Sequence, residues 1–245
     1  MTITSSSNQR LKEIRKLRMR RRVRERASRF VAEGEDLLAT ADEAGWKPLE
    51  RYCAAGSGLA GTEVEAKILA RASGLASGTR TLAVYEERWA DKPLGPLCVY
   101  LHGVHDPGNL GAVLRSAEAF GASCVALGPG SADPFSPRAV RASMGAIFSV
   151  PVARAVAIDD LPGTTIALVP DAGIELWRFS GDRRHQNARE VTIAVGSERD
   201  GLPDDLIESA DITAHIPIRS HSLNAAMAAT IALYEVTTRM AAAPR

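Results

Sequence analysis

The stretch CVYLHGVHDPGNLGAVLRSAEAFGASCVAL, residues 98–127, indicates the fold class of this chain. It begins with an apolar strand, Cys98–Val104, and ends with another, Ser123–Leu127. Between them, apolar residues such as Leu110 and Leu114 recur at the spacing of one helix face. Strands and helices continue to alternate toward the end of the chain. Because this alternation is typical of a parallel sheet covered by helices on both faces, we predict an α/β fold.

A parallel sheet of this kind binds ligands beyond the carboxyl ends of its strands. After residue 127 we predict strands at Thr164–Val169, Val191–Val195 and Ile212–Ile218, and helices at Ser136–Met144, Leu206–Ser209 and Ser222–Met240. The last helix is predicted to bury a stripe of Leu223, Met227, Ile231 and Tyr234. We therefore expect functional residues in four segments that follow strands: Val104–Asn109, Leu127–Ser131, Val195–Gly201 and Ile216–Asn224.

The first part of the chain has the pattern of a separate small α/β domain. A helix is predicted over residues 10–29, with Leu11, Ile14 and Leu17 on its apolar face. The elements predicted after it are a helix at Asp36–Ala44, a strand at Arg51–Ala54, a helix at Gly61–Ala72 and a strand at Thr81–Tyr85. Trp89–Pro96 contains two prolines and a glycine and is predicted to be a linker. We predict two domains, residues 1–90 and 95–243.

The formal net charge of +1 hides a strong asymmetry. Residues 10–29, called the basic segment below, contain eleven cations and two anions and so carry +9, which leaves −8 for the rest. A cluster of cations at one end of a chain suggests a polyanionic partner such as a nucleic acid. The alternative is an ordinary solvated helix face.

Composition and motifs exclude several classes of protein. No run of eighteen apolar residues is present, and the N-terminal MTITSSSNQR has no apolar core of a signal peptide. Cys53, Cys98 and Cys124 form no CxxC pair, which favours a reducing cytosol. His102, His105 and His221 have no carboxylate or cysteine at metal-ligand spacing. We expect a cytoplasmic protein without a metal ion and without a membrane partner.

Familiar nucleotide and hydrolase motifs are also missing from the sequence. No GxGxxG follows a strand, which argues against a Rossmann oxidoreductase. No GK[ST] indicates a P-loop, and no GxSxG indicates an α/β-hydrolase. A ligand site in this chain therefore depends on other residues.

The segment Asp106–Asn109 follows a strand and precedes a helix. Its Pro-Gly pair suits a type II turn, and Asn109 is able to cap the helix. A purely structural role therefore accounts for all four residues. Arg115 lies off the apolar stripe of that helix, one and a half turns from its start. An arginine at this place is either solvated or a clamp for a phosphate or carboxylate.

Two further segments combine small and polar residues. Gly196–Gly201 has two glycines five apart, which allow its backbone to approach a ligand closely. Within it, Glu198 is either the acidic residue of a helix start or part of a site. Ser222 is predicted to cap the closing helix, and Ser222 and Asn224 together flank Leu223 in a manner that also suits a ligand site.

Four segments, taken in order, resemble the SpoU (TrmH-type) branch of the SPOUT RNA methyltransferases. They are HDPGNLGAVLRSAEAFGA (105–122), SPRAVRASMGAIFSVPV (136–152), AVGSERDGLPDDLIESADITAHIPI (194–218) and SLNAAMAATIALYE (222–235). Residues 5–38 are similar to the small L30e-like substrate-binding domain that precedes the catalytic domain in many members. The resemblance thus covers essentially the whole chain.

The resemblance implies a trefoil-knotted parallel-sheet α/β domain at residues 95–243, preceded by an L30e-like α/β domain at residues 1–90. It implies S-adenosylmethionine as the methyl donor, bound in the knot. It also implies a homodimer paired through the closing helix, where four alanines would permit close approach: Ala225, Ala226, Ala228 and Ala229.

Residues of the family's motifs carry over to matching positions of this sequence. The catalytic set implied by the resemblance is Asn109, Arg115, Glu198, Ser222 and Asn224. The cofactor set is Gly128, Gly196, Ile216 and Leu223. The segment Ile216–Leu223 is shorter here than in many relatives, which affects the loop around the donor.

The implied activity is methylation of a ribose 2′-hydroxyl in RNA. Ribosomal RNA (23S) is the expected substrate because of the extra N-terminal domain. The RNA contacts are expected from the basic segment, at Arg18, Arg20, Arg21, Arg22 and Arg24. The alternatives are a tRNA 2′-O-methyltransferase and a non-catalytic RNA-binding protein that keeps the fold.

Overall fold

Two β-sheets organise the chain in the computed structural model, which describes residues 2–73, 78–155, 157–181, 190–219 and 222–242. The first sheet has four strands in the order β1-β4-β2-β3: β1 Arg29–Glu33, β2 Glu50–Ala54, β3 Thr62–Val64 and β4 Thr81–Glu86. Its pairs are antiparallel except for β2 and β3, which run parallel. The helices of this region are α1 Gln9–Met19, α2 Arg21–Ala27, α3 Glu35–Glu43 and α4 Ala66–Ser73.

The basic segment is not one helix, as the periodicity predicts, but two. The prediction is wrong at Arg20, which has extended backbone angles (φ −130°, ψ 110°) between α1 and α2. The apolar face of α1 is buried as expected, whereas α2 turns to direct the buried Arg24 toward the second domain. The helix predicted at Gly61–Ala72 is also partly wrong, because Thr62–Val64 pairs with β2 as a strand before α4 begins.

The second sheet confirms the predicted parallel α/β architecture. Its seven strands, in the order β7-β6-β5-β10-β8-β11-β9, all run parallel. They are β5 Leu97–Leu101, β6 Cys124–Leu127, β7 Val152–Arg154, β8 Thr164–Leu168, β9 Ile174–Glu175, β10 Val191–Val195 and β11 Ile212–His215. Only the short outer strands β7 and β9 were not predicted. The trefoil knot stays a prediction.

Helices α5 Pro107–Ala119, α6 Pro137–Ala142, α7 Asp204–Ser209 and α8 Ala225–Ala242 accompany this sheet. The stripe predicted to be buried on α8 is wrong: Met227, Ile231 and Tyr234 are 61%, 38% and 55% exposed. The buried face instead carries mostly alanines and two larger residues, Ala225, Ala226, Ala229, Ala232, Leu233 and Val236. Small side chains let α8 lie close to its neighbours, so these alanines serve the core of the chain itself. Ala225, Ala226 and Ala229 are therefore not available for the dimer contact predicted from them.

The two sheets share one hydrophobic core. Phe30, Trp46 and Tyr85 from the first region pack against Phe135 and Phe148 from the second, with ring centroids 4.9–6.1 Å apart. The Trp46 indole also donates a hydrogen bond to the carbonyl of Phe148 at 2.8 Å. Apolar area buried in this way fixes one region on the other. The predicted linker lies between β4 and β5, and the domain limits 1–90 and 95–243 stay a prediction.

Candidate active site

The loops that follow β5, β8, β10 and β11 meet at the carboxyl edge of the parallel sheet. This is the edge at which ligands bind in such folds. The loop after β5 leads into α5, whose first residue is Pro107. Proline suits this first position because its missing N–H would have no partner there. The residue before it, Asp106, caps the helix by accepting hydrogen bonds from the backbone of Gly108 (2.6 Å) and Asn109 (3.1 Å).

Capping by Asp106 corrects the prediction that Asn109 caps α5. Because α5 begins at Pro107, Asn109 lies inside its first turn and its side chain is free to point across the sheet edge. Its Nδ2 donates to Oε1 of Glu198, and its Oδ1 accepts from Nδ2 of Asn224 at 3.0 Å. Asn109, Glu198 and Asn224, called the polar cluster below, are thus joined although they are 89 and 115 positions apart.

Asn224 also begins the closing helix. Its Oδ1 accepts hydrogen bonds from the backbone of Ala226 (2.9 Å) and Met227 (3.3 Å), which is the geometry of a helix cap. The prediction of Ser222 as this cap is wrong, because α8 begins at Ala225 and Ser222 lies too far before it. Ser222 instead lines the cavity described next.

A cavity of about 310 Å³, called the main cavity, lies beside the polar cluster. Three residues of the predicted cofactor set line it, Gly196, Ile216 and Leu223, and so do Glu198 and Ser222. The volume is within the range of small-molecule sites, which combine apolar walls with a few polar groups. Sequence reasoning missed several lining residues outside the four expected segments: Val169 and Pro170, which follow β8, and Ala225 and Ala228 in α8. For Val169 and Pro170, the position after a parallel strand was the available signal.

Gly196 is required by the loop itself. A side chain on Gly196 would collide with the backbone of Gly201 and Leu202. The loop is closed by paired backbone hydrogen bonds between Ser197 and Gly201 (3.2 and 3.1 Å). This tight turn places Glu198 at its tip, where the side chain reaches Asn109.

Two residues of the predicted catalytic and cofactor sets, Gly128 and Arg115, lie outside both the main cavity and the polar cluster. Gly128 is buried after β6, where a side chain would collide with the ring of Tyr100, and it lines a different cleft. Arg115 is exposed on α5. Six residues after Asn109, Arg115 lies about 9 Å further along the helix axis and on a different face. The structure therefore joins Asn109, Glu198 and Asn224 without bringing Arg115 to them in one chain.

The residues beneath the β5 loop are neutral at physiological pH. Tyr100 Oη and His102 Nδ1 are hydrogen-bonded at 3.0 Å. Burial lowers the pKa of His102 and raises the pKa of Tyr100 to about 12. Within the described ranges, no group of three His, Cys, Asp or Glu side chains is placed to hold a metal ion, and no helix is long and apolar enough to cross a membrane. His221 and Ser220, in the short segment before Leu223, lie outside the described residues.

The predicted RNA-binding arginines divide into two groups. Arg20, Arg21 and Arg22 are exposed, and Arg21 pairs with Glu25 at 2.8 Å. Arg24 is only 4% exposed and donates to Asp133 Oδ2 through Nε (2.8 Å) and Nη2 (2.6 Å), so its assignment to RNA is wrong.

Arg18 is also turned inward. It pairs with Glu33 and donates to the carbonyl of Ala72 at 2.8 Å, so its guanidinium is engaged within the chain and its assignment to RNA stays a prediction. Burial raises the pKa of the Glu33 carboxyl, and the Arg18 guanidinium opposes that rise. The basic segment also carries exposed cations that the sequence-based RNA assignment omitted: Arg10, Lys12, Lys16, Arg26 and Arg29.

Two family profiles together match most of the chain. The profile of the SpoU rRNA Methylase family matches residues 96–234, and that of the MRM3-like substrate binding domain matches residues 8–88. The 23S rRNA (guanosine(2553)-2′-O)-methyltransferase RlmP of Bacillus subtilis is 31% identical over 141 residues, which are 56% of each chain. The match thus spans about half the length of that curated relative.

Solved structures match over nearly the full length. The AdoMet-bound rRNA methyltransferase from Sinorhizobium meliloti has a TM-score of 0.85 and 30% identity, with 98% of each chain covered. The SpoU methyltransferase AviRb from Streptomyces viridochromogenes, in complex with AdoMet, has a TM-score of 0.82 and 25% identity, with 97% of this chain and 100% of that chain covered. With its motifs, its parallel sheet and its polar cluster in place, this chain belongs to the SpoU rRNA methylase family.

Proposed function

We infer that this chain transfers the methyl group of S-adenosylmethionine to a ribose 2′-hydroxyl of RNA. The observation that carries this proposal is the polar cluster beside the main cavity, in which Asn109, Glu198 and Asn224 meet from three separate loops. Ribosomal RNA is the proposed substrate, as named for the relatives in Bacillus and Sinorhizobium. A tRNA substrate is the alternative that the experiment below distinguishes.

The main cavity fits the proposed methyl donor. Ile216 and Leu223 offer apolar contacts for an adenine ring, and backbone groups beside Gly196 and the Ser222 side chain offer polar ones. S-adenosylmethionine supplies a methyl group on a positively charged sulfur, so methyl transfer neutralises a charge. A partly apolar cavity suits such a reaction because the positive charge on the sulfur is lost as the methyl group is transferred.

The chain's own residues have to orient the ribose and stabilise its oxygen as the proton leaves. Arg115 is proposed for this step, as a clamp on the phosphate and the 2′-oxygen, since a guanidinium stays protonated and makes a poor base. The proton then passes to phosphate or water. Asn109 and Asn224 hold the loop tips in place, and Glu198 fixes the position of Asn109.

A homodimer is part of the proposal. The exposed apolar stripe of α8 consists of Met227, Ile231 and Tyr234, and it replaces the buried alanines as the proposed contact. Arg115 lies near this stripe, since the next residue, Ser116, is hydrogen-bonded to Thr230 at 2.6 Å. Multi-angle light scattering is expected to give a dimer at micromolar concentration for the wild type and a monomer for Ile231→Glu. A monomeric mass for the wild type would contradict the proposed homodimer.

The activity is tested with tritiated S-adenosylmethionine and RNA from cells that lack the protein. Ribosomal RNA and tRNA are offered separately, and the 2′-O-methyl position is mapped. We expect incorporation into ribosomal RNA. If tritium is incorporated into tRNA alone, tRNA replaces ribosomal RNA as the proposed substrate. If calorimetry shows donor binding but no RNA is methylated, the chain is the non-catalytic RNA-binding protein of the alternative. A cytoplasmic location, expected from the reduced cysteines, is checked by fractionation.

A further inference from the structure

A second cleft lies on the same sheet edge, between the two regions of the chain. Called the interdomain cleft, it has a volume of about 240 Å³ and is lined by the loop Gly128–Pro134 after β6, by Arg154 at the end of β7, and by Arg21, Glu87 and Trp89 from the N-terminal side. Neither the main cavity nor the polar cluster uses these residues. The cleft is therefore a site that the proposed reaction leaves without a role.

An arginine stacked on a tryptophan forms the wall of this cleft. The Arg154 guanidinium carbon lies 4.1 Å from the centre of the Trp89 ring. The position of Trp89 relative to Arg154 is fixed by the backbone next to each residue. Ala90 forms a β-bridge with Ala153, and its backbone N–H donates to Val152 O at 2.8 Å. The edge of Trp89 packs on Phe135, with ring centroids 5.3 Å apart. Arg154 is exposed, so its planar group offers a second face to a ligand.

A carboxylate lies beside this stack. The Trp89 indole N–H donates to Oε2 of Glu87 at 3.3 Å. Among the residues that the structure describes, no group donates to Oε1 of Glu87, which therefore has capacity to accept a hydrogen bond. The charged groups that act on Glu87 include Arg24 and Arg154, which are cationic, and Asp133, which is anionic. Arg21 and its ion-pair partner Glu25 line the same cleft. Planar stacking groups beside a hydrogen-bond acceptor match a nucleobase that carries an amino group better than they match a phosphate.

The loop that lines the cleft is hydrogen-bonded to the loop that begins the candidate active site. Gly103, in the loop after β5, donates to the carbonyl of Pro129 at 3.0 Å, and Ala132 donates to the carbonyl of Val104 at 2.9 Å. In the sheet, β6 lies two positions from β10, which is about 10 Å at the usual strand spacing. On the other side, Arg21 connects the cleft with the exposed arginines of the basic segment. A single strand that crosses from the basic segment to the polar cluster passes this cleft.

We propose that the interdomain cleft binds one nucleotide of the RNA strand flanking the methylated one, with its base stacked on Arg154 and its exocyclic amino group facing Glu87. The proposal rests on the proposed RNA substrate. It assigns to the cleft a preference for guanine, adenine or cytosine over uracil, which has no amino group. Bases stack on arginine planes and aromatic rings in many single-strand sites.

The proposal is tested by binding, without methyl transfer, of the full-length protein. Fluorescein-labelled UUUUU and UUGUU oligoribonucleotides are the probes, and anisotropy at low salt gives their affinities. The wild type is expected to bind UUGUU several-fold more tightly. Arg154→Ala is expected to weaken UUGUU binding about tenfold and to remove the preference, because the base no longer has its stacking partner. Arg154→Lys keeps the charge without the plane and is expected to stay weak.

A matched control lies at the opposite edge of the sheet. There Arg178 stacks on Trp177 with its guanidinium carbon 5.0 Å from the ring centre, and Arg178→Ala removes the same charge and the same type of contact. This variant is expected to bind both probes like the wild type. Glu87→Gln is expected to reduce the difference in affinity between UUGUU and UUUUU, because the glutamine amide, unlike a carboxylate, also donates a hydrogen bond to a uracil carbonyl. Equal affinities of wild type and Arg154→Ala for UUGUU, or a wild type without preference, overturn the proposal.

The same proteins distinguish this failure from failure of the proposed function. Calorimetry with S-adenosylmethionine is expected to be unchanged in Arg154→Ala, since Arg154 lies outside the main cavity. If the wild type methylates ribosomal RNA but binds UUGUU and UUUUU equally, only the proposal for the interdomain cleft is refuted. Intact probe preference without methylation by the wild type refutes the methyltransferase proposal and leaves the cleft as an RNA site.

Discussion

In the candidate active site, residues 89 and 115 positions apart in the sequence are hydrogen-bonded to each other, whereas in the basic segment arginines two positions apart face opposite sides. Asn109 reaches Glu198 and Asn224 across three loops. Arg22 is exposed, while Arg24 is buried against Asp133. The difference shows that, in the candidate active site, residues distant in the sequence come together because their strands end at the same edge of the sheet. In the basic segment, by contrast, helix geometry decides which charge meets solvent.

The largest expected effect is on stability, at the inward side of the basic segment. Arg24→Ala leaves Asp133 buried without its partner, and breaking a buried pair from one side costs about 3–5 kcal/mol. The matched variant Arg22→Ala removes an exposed arginine and is expected to change the free energy of unfolding by less than about 0.5 kcal/mol. Urea unfolding of both variants measures the difference.

A double variant sharpens the same comparison. Arg24→Leu with Asp133→Leu removes both charges, so neither is left buried and unpaired. It is expected to recover much of the stability that Arg24→Ala loses. Equal stability of Arg24→Ala and Arg22→Ala would show that Arg24 is not a structural tie between the two regions.

The next largest effect is expected at the active site, in methyl transfer. Arg115→Ala is expected to reduce the rate about 100- to 1,000-fold, as for loss of one group that stabilises a developing oxyanion. Arg115 is exposed and lies outside the main cavity, so folding and donor binding should stay intact. Arg115→Lys is expected to restore little, because a point charge lacks the guanidinium fork.

The readouts are tritium incorporation into undermodified RNA and calorimetry with S-adenosylmethionine. Wild-type turnover by Arg115→Ala would remove Arg115 from the mechanism. Failure of this variant to bind the donor would instead move Arg115 to the cofactor site.

Sequence patterns predicted the parallel sheet, and the family resemblance supplied the residues of the polar cluster, but neither gave the helix caps correctly. Alternating apolar segments identified most of the strands, because buried parallel strands are apolar throughout. The helix caps were misplaced: Pro107 sets the start of α5 one residue after Asp106, and Asn224 rather than Ser222 begins α8. The two caps were misplaced by three residues (Asn109 for Asp106) and two residues (Ser222 for Asn224), which periodicity does not resolve.

The faces of α8 were inverted for a related reason. Met227, Ile231 and Tyr234 are large apolar residues at the spacing of one helix face, which favoured them for the core. The fold buries alanines instead, since α8 lies close to the sheet and to α5. Likewise, no local pattern distinguishes Arg24 from Arg22, because the partner that buries Arg24 is Asp133, 109 positions away.

A smaller effect is expected from Asn224, which combines a cap with a link to Asn109. Asn224→Ala is expected to lower the free energy of unfolding by about 1 kcal/mol because the cap is removed. Asn224→Asp keeps the cap but places an oxygen against Oδ1 of Asn109, so it should keep stability and lose activity. Thermal unfolding and the methyl-transfer assay separate the two roles. Similar activity in Asn224→Asp and the wild type would reduce Asn224 to a structural residue.

The smallest effect is expected on the outward side of the basic segment, and it appears in the salt dependence of RNA binding. Each lysine or arginine that binds a phosphate releases counterions, so the slope of log affinity against log salt is proportional to the number of phosphates bound. Replacing the exposed Arg20, Arg22 and Arg26 by glutamine should make this slope shallower by about 0.7–0.9 for each phosphate that is no longer bound. Arg80→Gln, an exposed arginine of the same region outside the segment, serves as the control and should leave the slope unchanged. If the triple variant and the control have equal slopes, the outward arginines form only a solvated helix face, and the contrast between the two sides of the segment concerns stability alone.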